Sequence, residues 1–314
     1  MTDNWKYRPL GWMVKAIARL PFSVLYLLSD LSFPIVYYIA RYRLKTVRGN
    51  LASCYPHKSQ SQLRAIERKF YHNFCDYVVE TLKLLHITDE QMLARMTFSN
   101  VEIIDDALAQ GRSVVCYFAH IGNWEYAPSI ILHSRFKPHQ GVEFCQIYRP
   151  LKNEWFDRLM LRIRGRFGAV SLQKRLAFLD LLRYRKQHVA TVTGFMSDQK
   201  PSHGDPVHVV KFLNHPTAMI TGTETVCRRM DSLPVYWYAT KPSRGHYHID
   251  VIPMTPDAED SLTANGEKSP YPLTDLYARM LQRNIDADPS LWLWSHKRWK
   301  NPVSFPQDTE PDKK

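Results

Sequence analysis

The residues most able to do chemistry together lie in HIGNWE, positions 120–125. This run follows the apolar stretch VVCYFA and places an imidazole, His120, and a carboxylate, Glu125, on either side of Gly122, Asn123 and Trp124. A carboxylate on one ring nitrogen of a histidine fixes its tautomer and leaves the other nitrogen free to accept a proton. Asn123 is a good helix N-cap, and Gly122 permits a tight turn before it. Glu125 then falls in the first helical turn, from which its carboxylate is expected to reach back towards His120. The alternative is an ordinary turn with a structural histidine, and H-x4-E alone does not separate the two.

Such a pair needs a strand to carry it. Strands are predicted at 113–119, 142–148, 188–195, 233–240 and 247–253, with helices at 124–133, 152–167, 174–186, 217–231 and 273–285. Apolar strands joined by crossover helices imply an α/β fold with a largely parallel central sheet flanked by helices. In such sheets sites form beyond the carboxyl ends of the strands, where His120 stands. An amphipathic helix is predicted over 59–85, where Leu63, Ile66, Phe70, Phe74 and Tyr77 recur at steps of three and four. The polar stretch 255–269 is expected to be a surface loop.

Ahead of this domain, residues 20–40 read LPFSVLYLLSDLSFPIVYYIA, with the one charge Asp30. The length suits a bilayer span of roughly 20 residues. Asp30 at its midpoint and Pro34 oppose a simple spanning helix. Basic residues stand on both sides, Lys6, Arg8, Lys15 and Arg19 before it and Arg41, Arg43, Lys45 and Arg48 after it. They suit an apolar helical anchor that dips into one face of a membrane, and a buried helix pair is the alternative. The expected organisation is a membrane-associating segment, 1–50, followed by one α/β domain, 51–314.

The net charge of +12 over 314 residues calls for an anionic partner, whether nucleic acid, lipid or acidic protein. The five cysteines are scattered, with no zinc-finger spacing, and suit reduced buried thiols. A serine elbow, a phosphate loop, a dinucleotide-binding glycine pattern and H-E-x-x-H are all missing from the sequence. No signature of a nucleic-acid-binding module accompanies the aromatic and basic residues near the C-terminus, so no nucleic acid is expected as partner.

HIGNWE resembles the H-x4-D/E motif of the bacterial lipid A late acyltransferases, the lauroyl/myristoyl transferase family. Further matches follow in order: IYRPLKNEWFDRL at 147–159, FMSDQ at 195–199 with Ser197 in place of proline, and PSLWLWSHKRWK at 289–300. The apolar N-terminus and the stretch from Asn50 to Pro56 extend the likeness over nearly the whole chain. It departs after Asp198, where VVKFL replaces a small apolar loop; the departure touches acyl- or acceptor-lining contacts and leaves His120 and Glu125 alone.

The resemblance implies a membrane-bound O-acyltransferase. Such an enzyme moves a fatty acyl group from acyl carrier protein, or acyl-CoA, to a hydroxyl of a phosphorylated glycolipid, a lipid A precursor. His120 would be the general base and Glu125 its orienter, at the cytoplasmic face of a bacterial inner membrane, with no metal or organic cofactor. It points to Arg149, Arg164, Arg166, Asp198 and Asn123 as substrate-binding positions. Transfer to another lipid, such as a phosphatidylinositol mannoside or an aminolipid, and a non-catalytic lipid-binding role are the alternatives.

Overall fold

A computed structural model describes residues 7–257 and 268–305. The chain is an α/β protein whose seven-stranded sheet has the order β1-β9-β8-β2-β5-β3-β4. The strands are β1 (Met96–Ser99), β2 (Val114–Phe118), β3 (Val142–Tyr148), β4 (Val170–Gln173), β5 (Ala190–Met196), β8 (Leu233–Ser243) and β9 (His246–Pro253). All neighbours run parallel except β8 and β9, which pair antiparallel.

Every residue of β2 is buried, as a central strand covered on both faces requires. Alternate side chains enter different layers: Val115 and Tyr117 join one apolar cluster, and Val114, Cys116 and Phe118 join the other. The first layer is covered by α3 (Leu44–Cys54), α4 (Gln60–Lys83), α9 (Ala177–Lys186), α10 (Gly222–Met230) and α11 (Pro272–Ala287). The second is covered largely by α6 (Glu102–Ala109) and α8 (Glu154–Arg164). The predicted start of the long helix at 59 is a capping box: Ser59 accepts from the Gln62 backbone N–H while the Gln62 side chain accepts from the Ser59 N–H.

Two predicted elements change character. Residues 217–220, expected to be helical, belong to β7 (His215–Ile220), which pairs antiparallel with β6 (Val207–Phe212) in a separate ribbon. The two-residue connection Leu213–Asn214 has positive φ at both positions, 45° and 65°, the conformation of a tight hairpin. The helix expected from 124 opens as a 3-10 turn, Trp124–Ser129, because Pro128 removes a backbone donor; it continues as the short α7 (Ile130–His133). The expected loop 255–269 lies mostly outside the described residues.

The N-terminal apolar segment forms α2 (Phe22–Pro34), which passes at Pro34 into a π-helical turn, Ile35–Ile39. Together they make a helix of 18 residues with mean hydropathy 1.5, long and apolar enough by length and composition to cross a membrane. It packs on α4, and Phe33 and Tyr37 belong to the same buried cluster as Tyr117 of the sheet. Asp30 is not left alone: Arg244, in the turn from β8 to β9, donates to it through Nη2 at 2.6 Å and also to the buried Asp76 of α4 at 2.7 Å.

Candidate active site

Strands β2, β5 and β3 are parallel neighbours, so their carboxyl ends open on one edge of the sheet. His120, Asp198 and Arg149 follow those three ends. Asp198 Oδ1 lies 2.7 Å from His120 Nδ1, and Oδ2 accepts from the His120 backbone N–H at 3.1 Å and from Trp292 Nε1 at 2.9 Å. Burial pushes the Asp198 carboxyl up, but the His120 ring and these N–H donors outweigh it and hold the group below the usual carboxylate range. An ionised Asp198 accepts, so the shared proton belongs on Nδ1 and Nε2 carries the lone pair. Gln199 Nε2 stands 3.0 Å from that nitrogen.

The carboxylate on the ring is therefore Asp198, whereas the sequence reading assigned Glu125 to it. Glu125 is held elsewhere: Arg164 Nε and Nη2 grip its two oxygens at 2.8 and 2.7 Å, a bidentate ion pair on an almost wholly buried carboxylate. Trp124 stands between the two centres. Its ring meets the His120 ring edge-on at a centroid distance of 4.9 Å, while its indole N–H donates to Glu125 Oε1 at 3.2 Å. The side chains of H-x4-E are thus joined through a tryptophan face, not by a hydrogen bond.

The loop carrying them is fastened from below and from the C-terminus. Gly122 has φ of +61°, and a Cβ there would sit 2.9 Å from the Tyr247 ring, so both backbone and space require glycine. Asn123 is buried and fully committed: its carbonyl oxygen caps the Glu125 N–H and its amide donates to Glu80 at 2.9 Å. Through these contacts it holds the loop to α4, where the resemblance implies a substrate contact. The C-terminal run adds a strand-like pairing, with Gly122 N–H donating to Leu291 O and Leu293 N–H to His120 O. Trp292 and Trp294 are buried in this arrangement, which places them in packing.

Of the expected basic residues, Arg149 is exposed at the end of β3, on the edge that carries His120. Arg164 reaches the site through Glu125. Arg166 turns away, donating to Ile87 O and Asp89, and so fastens the end of α8 to the segment that follows α4. The sequence reading missed Gln199, Trp292 and His296 as site residues, although FMSDQ and PSLWLWSHKRWK had been singled out as runs. His296 accepts the Lys200 N–H at 3.1 Å, and burial lowers its pKa to about 4.

Beside Trp124 an apolar cavity runs into the domain. Phe118, Phe144, Ile147, Gly194 and Trp237 line it, and Glu125 and Arg164 stand in its wall. Gly194 leaves room there: a Cβ would meet the Phe118 ring at 2.9 Å. A histidine whose Nε2 meets only the Gln199 amide, a fixed guanidinium and an apolar trough are the parts needed for transfer from an acyl donor.

The family model for bacterial lipid A biosynthesis acyltransferases matches residues 6–301. The chain belongs to that family. Comparison with curated proteins gives no match. Membership makes acyl transfer the class of activity and implies an acyl donor and a lipid acceptor.

Proposed function

We propose that the protein is an O-acyltransferase that moves a fatty acyl chain from an acyl carrier protein thioester to a hydroxyl of a lipid A precursor. The reading rests above all on the His120–Asp198 pair, with Nδ1 held on a buried carboxylate and Nε2 turned to a lone-pair role. The acceptor hydroxyl takes the place of the Gln199 amide at Nε2. As its oxygen attacks the thioester carbonyl, Nε2 removes its proton, and Asp198 stabilises the imidazolium that results. Collapse of the tetrahedral intermediate breaks the C–S bond, and the imidazolium proton passes to the leaving thiolate. General-base help of this kind is worth about 10²–10⁴ in rate.

Glu125 acts through Arg164 in this mechanism. With Nε and Nη2 spent on Glu125, Nη1 is the donor by which Arg164 can approach the charge that develops on the thioester oxygen. The acyl chain occupies the cavity lined by Phe118, Phe144 and Trp237. No metal or organic cofactor is required by these steps.

The reaction takes place at a membrane surface, the cytoplasmic face of a bacterial inner membrane. Leu27, Leu31, Ile35 and Ile39 recur at steps of four and are 57%, 60%, 55% and 76% exposed, a continuous apolar stripe on the outer side of the N-terminal helix. The Asp30–Arg244 pair and the packing on α4 favour a helix lying in the membrane face over one crossing it. Arg149 and its basic neighbours supply charge for an acidic carrier protein or a phosphorylated lipid. Purified protein with an acyl carrier protein thioester and a lipid A precursor should give an acylated lipid by mass spectrometry. His120→Ala should remove that product while leaving the circular dichroism spectrum unchanged, and undiminished transfer by that variant would retire the base assignment.

A further inference from the structure

A second cavity lies between the β6–β7 ribbon and the C-terminal segment. Lys200, Pro216, Thr217, Arg298, Trp299 and Asn301 line it. Arg298 is only 3% exposed, yet among the described residues no Asp or Glu pairs with it. Its Nη2 donates to Ala218 O at 2.6 Å and touches Met219 Sδ at 3.3 Å, while its Nε, also buried, has no acceptor among the described residues. Burial lowers its pKa to about 10, so the group is still cationic at neutral pH. Asp198 offsets part of the cost of burying this guanidinium without touching it, and an Nε left with no acceptor suits an anion brought by a ligand.

The place of this cavity says which anion. Lys200 follows Gln199, whose amide sits on His120 Nε2, and the Lys200 backbone is pinned to His296. The cavity therefore adjoins the reacting centre, and it shares no lining residue with the apolar trough. The carboxylate that Arg298 senses in the site, Asp198, is already committed to His120 and Trp292. A guanidinium fork beside an ammonium matches the geometry and charge of a phosphate group.

We propose that this cavity is a phosphate-binding subsite, in which Arg298 and Lys200 hold a phosphate of one substrate while the reacting group of that substrate lies at His120. The proposal rests on the acyl-transfer reading for its choice of ligand. The phosphate has two possible carriers, the phosphopantetheine arm of the donor and the phosphorylated sugar of the acceptor.

Calorimetric titration of the full chain separates them without requiring turnover. The probes are 4′-phosphopantetheine against pantetheine, and glucosamine 1-phosphate against glucosamine. One pair should show a preference of about tenfold or more for the phosphate-bearing member, the scale of a hydrogen bond to a charged group. The pair that shows it names the carrier. Lys200→Gln and Arg298→Gln should each remove that preference, and His120→Ala should leave it in place. Because Arg298 also supports the β7 backbone, Lys200→Gln, whose side chain makes no hydrogen bond to the described residues, carries the test if Arg298→Gln does not fold. Equal binding of both members in both pairs, or a preference untouched by Lys200→Gln, overturns the subsite. A preserved preference in a protein that transfers no acyl chain would instead overturn the function and leave the subsite standing.

Discussion

Asp198→Asn is the sharpest perturbation of the proposed mechanism, because it changes one charge and almost no volume. The carboxylate oxygen is 2.7 Å from His120 Nδ1, which puts the charge centres of an ionised Asp198 and an imidazolium ~4 Å apart. At an effective dielectric of about 20 their attraction is about 4 kcal/mol. That attraction exists only once the ring is protonated, so it lowers the transition state and leaves substrate binding alone. At about 1.4 kcal/mol per tenfold, its loss slows turnover by about 10³. An asparagine amide that donates to Nδ1 would also move the ring proton to Nε2 and deepen the loss. The assay is single-turnover transfer from an acyl thioester to the lipid, with KM for both substrates measured beside kcat. A kcat within tenfold of the parent, in a protein whose near-ultraviolet circular dichroism is intact, would refute the reasoning, as would a loss confined to KM.

Three further outcomes follow from other contacts. Glu125→Gln strands the Arg164 fork on a neutral partner, so melting should occur at a lower temperature and turnover should fall; Arg164→Lys, which keeps the charge but loses the bidentate grip, should recover only part of either. His296 has a pKa near 4 when folded against an ordinary value of 6.5, so the unfolded chain binds its proton first as pH falls. Stability should therefore decline between about pH 6.5 and about 4, and His296→Gln should flatten that part of a pH-melting curve. Replacing Leu31, Ile35 and Ile39 together by serine should weaken sedimentation with anionic vesicles while leaving the Asp30–Arg244 contact and the melting temperature unaffected.

What one stretch of chain decides for itself is legible in the sequence alone. The buried run VVCYFA is β2, and the predicted 142–148 is β3, because period and apolarity belong to neighbouring residues. His120 at the end of a strand, the left-handed Gly122, the Ser59 cap and the disruption at Pro34 are local facts of the same kind. The overall α/β class followed from the alternation of those segments. Short β1 and β4, and the ribbon β6–β7, were not legible, since four to six residues with partners far away carry too little pattern of their own.

The partner of the histidine could come only from tertiary structure. Glu125 is five positions from His120 in sequence, yet its carboxylate is taken by Arg164, 39 residues further on. Asp198 is 78 residues from His120, brought to it because β2 and β5 are parallel neighbours that end on the same edge of the sheet. The same holds for Arg298, whose basic character is plain in the sequence but whose burial without a direct ion pair depends on β7 folding over it. Charge and chemical type are properties of a residue; which charges meet, and which are left unpaired, is set by chain crossings that no local pattern encodes.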